Sequence, residues 1–270
     1  MKKLIPKYLL SLLKYLRSTN LEYCAAEWDD ALHSKCSLGW DSAAISSEEL
    51  QKWEKFCSNL ENAGPLGFSH ESHDLSVVDE VSFHNIHITF AYVLALASHL
   101  KTKLSILDWG GGLGHYYQLG KAVVPNVEFD FHVKEVPSMV EIGRRLNKDI
   151  HWYTDDDCLE EKYDLVIVSS SLQYIKNWQY VLEKLSDATK EYLLLMRLPV
   201  VNNHSFLAIQ TVNTSKILHR QLSKRDLLSI PCKQGLSLMR EFIVGYKPYI
   251  RNAPEQCVIN SWLFKRKING

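Results

Sequence analysis

The sequence lacks an excess of either charge. Its 270 residues carry 31 basic and 31 acidic side chains. A protein that coats nucleic acid needs a basic excess or a large basic patch, so the balance argues against that class. No apolar run approaches the roughly 18 residues of a membrane-spanning helix. The six cysteines form no Cys-x-x-Cys pair and match no zinc-ribbon or zinc-finger spacing. Scattered thiols in a chain this long suggest a reducing compartment, and a cytoplasmic location is expected. Disorder is not indicated, since 46% of the residues are apolar and 23% charged. A chain of this size buries roughly three quarters of its unfolded surface, enough for one large domain or two small ones.

What is present divides near residue 100. Residues 1 to 17 place Leu4, Ile5, Tyr8, Leu9, Leu12, Leu13 and Leu16 on one helical face, with Lys3, Lys7, Lys14 and Arg17 mostly opposite. Such a helix docks on its own domain or lies on an anionic membrane surface, peripheral to its inner face. Residues 20 to 100 read as helix and loop with little strand, so 1–100 is expected to form a helical cap. Ser46 with Glu49 reads as a helix start. Leu50, Trp53, Phe56 and Cys57 continue its apolar stripe, and Asn62 to Gly67 breaks it. A second apolar helix is expected over 86–100.

From residue 103 the rhythm becomes strand, Gly-rich turn, helix, strand. Strands are expected at 104–107, 127–133, 150–153, 163–168 and 192–196, with two more at 239–244 and 258–264. Helices are expected at 116–124, 138–146 and 178–185. This alternation predicts a mostly parallel sheet with helices on both faces over 101–270.

The first strand-to-helix turn reads Ile106-Leu107-Asp108-Trp109-Gly110-Gly111-Gly112-Leu113-Gly114-His115. Open α/β sheets bind ligands at such turns. Gly110, Gly112 and Gly114 form Gly-x-Gly-x-Gly. A dinucleotide fingerprint from Gly110 would need its third glycine at His115, which disfavours a nicotinamide cofactor. A phosphate loop ending in Gly-Lys-Ser/Thr is absent as well.

Asp-x-Gly-x-Gly-x-Gly after an apolar strand resembles motif I of the class I S-adenosylmethionine-dependent methyltransferases. The resemblance covers roughly residues 103 to 200. It implies a Rossmann-like, seven-stranded fold with S-adenosylmethionine as cofactor. Asp108 would bond the methionine amino group, directly or through water, and the glycine backbone would pack on the cofactor. Glu135, at the end of the second strand, would hold the ribose hydroxyls; a carboxylate fork suits a vicinal diol. Asp155 or Asp156 would accept from the adenine amino group. Ser169 and Ser170 would line the cleft. Gln173 and Tyr174 stand where many small-molecule methyltransferases carry two histidines. Tyr174 and Arg197 are candidate acceptor-binding residues.

More narrowly, Asp108 to Tyr117, Lys134-Glu135-Val136-Pro137 and Arg197-Leu198-Pro199 followed by Gln210 resemble a methyltransferase-like family whose genes often accompany surface-polysaccharide biosynthesis. The acceptor implied is a small molecule or glycan precursor, methylated on oxygen. A hydroxyl acceptor loses a proton, so a base is sought. His84, His87 and His204 are the candidates, with His115 also available. His84-x-x-His87 offers no third ligand, and no metal is expected. The alternatives are a binding or regulatory protein that keeps the fold without catalysis, and an NAD-dependent oxidoreductase.

Overall fold

The computed structural model describes residues 20–35, 39–70, 76–212 and 215–267. The amphipathic segment 1–17 and Cys36 lie outside them. In chain order the elements are β1 (Leu21–Cys24), α1 (Trp28–Lys35), α2 (Ala43–Glu61), α3 (Val81–Ala97), β2 (Lys103–Trp109), α4 (His115–Val123), β3 (Glu128–Lys134), α5 (Pro137–Leu146), β4 (Ile150–Tyr153), β5 (Tyr163–Ser169), α6 (Trp178–Ala188), β6 (Thr189–Val201), β7 (Phe206–Val212), β8 (Ser215–Ser223), α7 (Lys224–Lys233), β9 (Leu236–Ile243), β10 (Ile250–Arg251) and β11 (Val258–Arg266).

The main sheet runs β4-β3-β2-β5-β6-β11-β9. Its first five strands are parallel, and β11 runs antiparallel to both of its neighbours. This is the mostly parallel α/β sheet expected from the alternation, with the seven strands that the resemblance implies. A second set, β10-β1-β7-β8, joins it where Val200 and Val201 of β6 pair with Leu222 and Ser223 of β8.

Alternation along each strand divides the core in two. On one face Leu107, Val166, Val168, Leu193 and Leu195 pack with Trp178, Leu182 and Leu185 of α6 and Leu227 of α7. On the other, Ile106, Phe131, Leu165, Ile167 and Leu194 pack with Phe90, Val93 and Leu94 of α3 and Leu119 of α4. Burial on both faces explains why β5 reads as a continuous apolar run.

Three local readings are corrected. Residues 21–24 form a strand, because β1 finds its partner in the distant β7, with Leu21 opposite Gln210 and Cys24 opposite Leu207. The second helix starts at Ala43 after Ser42, so Ser46 lies inside it, its Oγ donating to the Ala43 carbonyl. Its inward face is Ile45, Trp53 and Phe56, whereas Leu50 is exposed. Two further strands that the alternation did not include, β7 and β8, pair antiparallel after β6. Among the described residues no helix is long and apolar enough to cross a membrane.

Candidate functional site

The glycine turn leaves the carboxyl end of β2 at the middle of the parallel sheet, beside the ends of β3 and β5. Gly110, Gly112 and Gly114 take φ values of +80°, +57° and +86°, a region that L side chains rarely enter. At Gly110 space demands glycine as well, since a Cβ would lie 2.3 Å from Ser171 Cβ. The loop then delivers the chain into α4, whose N-terminal residue is His115.

A cleft of about 970 Å³ opens over this loop. Gly110, Gly112, Glu135, Ser169, Ser170, Tyr174 and Arg197 all line it. Trp109 and Lys134 form another part of its wall, with Lys134 Nζ 4.7 Å from the Trp109 ring centroid. Glu135 Oε2 accepts from the Val136 N–H at 2.5 Å. Burial raises the Glu135 carboxyl above its usual range, opposed by N–H donors of Val136 and Gly112 and by the charge on Lys134. Ser169 Oγ and Tyr116 Oη share a 3.0 Å hydrogen bond.

Asp108 lies beneath the loop. It is fully buried, and a Cβ on Gly111 would stand 2.5 Å from its Oδ2. Among the described residues neither carboxyl oxygen has a hydrogen-bond partner. Burial, and then the charge on Glu135, push its pKa up to about 8. A buried carboxyl with no donor is costly unless neutral or offered a cation.

Ser170 and Arg197 carry left-handed backbone at φ +52° and +58°. At Arg197 the cause is a β-bulge. Leu195 faces Trp262 and Leu198 faces Asn260, leaving Met196 and Arg197 opposite the single residue Ser261. The Arg197 N–H donates to Ser261 Oγ at 3.2 Å. Such backbone outliers persist where the surrounding structure over-determines them, and here both border the cleft.

A second cleft, about 1690 Å³, adjoins the first and shares Trp40, Ile45, Glu49, Ser170, Tyr174 and Arg197 with it. Tyr174 Oη donates to Gln210 Oε1 at 2.7 Å, which fixes the phenol between the two spaces. Gln173 is instead buried, its Nε2 donating to Ser170 Oγ at 3.0 Å.

Other sequence candidates stand elsewhere. Gly114 lies off the cleft, where a Cβ would meet Ile150 Cδ1 at 2.8 Å. Asp155 is exposed, and its carboxylate accepts from the Asp157 N–H. Asp156 is exposed too, but its Oδ1 accepts from Trp109 Nε1 at 3.4 Å and sits 3.9 Å from Lys134 Nζ, at the cleft rim. His84 and His204 are exposed and line neither cleft. The reason is helical phase for His84, and for His204 its place in the β6–β7 connection. His87 is buried behind the cleft with Nδ1 donating to the Leu66 carbonyl at 2.6 Å, and burial lowers its pKa to about 4. It lines a small chamber with His70, His115 and Arg197 rather than either large cleft.

Sequence reading missed Glu49 and His70, which line the first cleft with His115. A signal for Glu49 was available. Ile45, Glu49, Trp53 and Phe56 step by four, four and three, so a carboxylate occupies the inward face of α2.

No protein-family model matches the chain, and no curated protein does. Solved structures do match. A candidate sarcosine dimethylglycine methyltransferase from Galdieria sulphuraria is 11% identical, with a TM-score of 0.52 over 82% of this chain and 98% of that one. The mitomycin 7-O-methyltransferase matches at 15% identity and TM-score 0.46, over 97% of this chain and 83% of that one. Magnesium protoporphyrin IX methyltransferase from Synechocystis PCC 6803, with bound S-adenosylhomocysteine, matches at 14% identity and TM-score 0.47, over 84% and 96%. The chain therefore has a mostly parallel, Rossmann-like fold of the methyltransferase type.

Proposed function

We propose that the protein is an S-adenosylmethionine-dependent methyltransferase acting on the oxygen of a small-molecule or glycan-precursor acceptor. One observation carries the reading. The glycine loop and the Glu135 carboxylate line a single cleft at the carboxyl ends of the parallel strands, above a buried Asp108 that has no donor among the described residues.

The residues fit the cofactor by charge and shape. S-adenosylmethionine supplies a methyl group on a cationic sulfonium. Asp108, Gly110 and Gly112 would hold the amino-acid end, with Gly114 starting the helix behind them. Glu135 would accept from the ribose hydroxyls, and Trp109, Lys134 and Asp156 frame the rim where adenine would lie. Asp155 is the alternative acceptor, its carboxylate engaged by the Asp157 N–H. Ser169 and Ser170 form the floor toward the second cleft.

That second cleft is the acceptor space in this reading. Glu48, Lys52, Arg197 and Gln210 give it a polar wall suited to hydroxyl-rich or anionic groups. Tyr174 and Arg197 stand where the two spaces meet, so they would set the acceptor against the methyl group. Alignment and exclusion of water supply much of the acceleration for an in-line displacement. The association with surface-polysaccharide precursors rests on the sequence resemblance.

Titration calorimetry with S-adenosylmethionine and with NAD tests the reading. S-adenosylmethionine should bind and NAD should not. Tight NAD binding without S-adenosylmethionine binding would overturn it.

A further inference from the structure

Three side chains meet at the cap-side wall of the first cleft. Glu49 comes from α2, His70 from the connection between α2 and α3, and His115 from the start of α4. One donor atom from each lies within 4.8 Å of the others. His70 Nε2 is 4.0 Å from Glu49 Oε2, and the His70 and His115 rings stack at 3.7 Å between centroids.

We infer that Glu49, His70 and His115 form a site for a divalent first-row transition metal, such as zinc, that faces the acceptor at the junction of the clefts. The inference deepens the methyltransferase reading and rests on it for the acceptor's role.

Three features support it. The donor set is two imidazoles and one carboxylate, which suits zinc, cobalt, iron or manganese rather than magnesium or calcium. Three protein ligands beside an open space leave a coordination position for a ligand from solution. The surroundings are apolar, as outer shells of metal sites often are. Phe56 packs edge-on to both rings, at 6.0 Å from His70 and 4.8 Å from His115, and Trp53 lies 5.1 Å from His115.

Donor atoms around a tetrahedral zinc ion lie about 3.3 Å apart, given metal–ligand bonds of about 2.0–2.2 Å. Binding therefore draws the three groups together by roughly 1 Å, through rotation of the Glu49 side chain and the two rings. Glu49 lines both clefts, so the open position looks toward the acceptor space. A hydroxyl bound there would be acidified by the metal. Its proton would leave to solvent as the oxygen takes the methyl group. The metal would thus take the role sought for a base, since His84, His87 and His204 line neither large cleft.

A second cluster, Asp130, His132 and His151, serves as the internal control. It lies on the β3–β4 side with His151 exposed, away from both clefts.

The experiment is equilibrium dialysis of the full chain with Zn²⁺ and Co²⁺, with metal content and the Co²⁺ visible spectrum read together. Glu49→Gln, His70→Asn and His151→Ala variants are compared, and circular dichroism checks the fold of each. The expected result is one ion per chain, with a nitrogen- and oxygen-ligand spectrum. Affinity should fall by more than about tenfold in Glu49→Gln and His70→Asn, since even outer-shell changes cost that much. His151→Ala should leave it unchanged. The inference is overturned if neither ion binds, if both cleft variants bind as the wild type does, or if His151→Ala removes the ion. S-adenosylmethionine calorimetry on the same samples separates the two readings. Cofactor binding without metal binding refutes only this site, and metal binding without cofactor binding refutes only the methyltransferase.

Discussion

Replacing Asp108 by Asn should stabilise the cofactor-free protein. Most single substitutions destabilise, so the sign alone is diagnostic. The carboxyl is fully buried with no hydrogen-bond partner among the described residues, and its pKa is pushed up to about 8 from an ordinary value of 3.8. Between those two values the folded chain holds a proton that the unfolded chain has released. The unfolded state binds fewer protons there, so stability falls as pH rises, by about 1.4 kcal/mol per pH unit for this one group. At pH 7 the accumulated cost is about 4 kcal/mol at most. An Asn side chain stays neutral and escapes it. Chemical denaturation of wild type and variant between pH 5 and 9 provides the assay. The gap in unfolding free energy should widen from pH 5 to 8 and then level off. His70, His87 and His219 are held below their ordinary pKa and act in the opposite sense below pH 6.5, but they cancel in the difference. A variant no more stable than wild type at pH 8, with a parallel pH profile, would refute the argument. The same variant should bind S-adenosylmethionine more weakly, because it can no longer ionise toward a cationic ligand. Stability and function would then pull apart at one atom.

Glu135→Gln should lower affinity for S-adenosylmethionine by about 1–3 kcal/mol, the worth of charge-assisted hydrogen bonds, with little loss for fragments lacking the ribose; equal calorimetric affinities for both proteins would contradict the assignment. Gly110→Ala should abolish cofactor binding, since its Cβ would fall 2.3 Å from Ser171 Cβ at φ +80°. Wild-type affinity by calorimetry would show that the loop does not carry the cofactor.

Most of the sheet was legible because its signals are local. The apolar runs at β2 and β5, the helix stop before Pro125 and the glycine turn each declare themselves within a few residues. The strand β1 did not, because four residues become a strand only when β7 supplies the hydrogen bonds. The β7–β8 hairpin escaped for a related reason: its pairing is between segments that alternate weakly, and one of them includes the polar pair Gln210 and Thr211.

By itself, the sequence determined that the chain would alternate strand and helix, and that Asp108, the glycine loop and Glu135 would meet at strand ends. Strand order and side-chain period force that result, since consecutive βα units bring their carboxyl ends to one edge. Only the tertiary structure decided which polar groups share the cleft with them. Glu49, His70 and His115 belong to a helix, a connection and a second helix, and no spacing rule links them. The bulge opposite Ser261 aims Arg197, and burial separates His87 from the exposed His84 on the same helix. Packing against distant segments sets those outcomes, and packing is written in no single stretch of the chain.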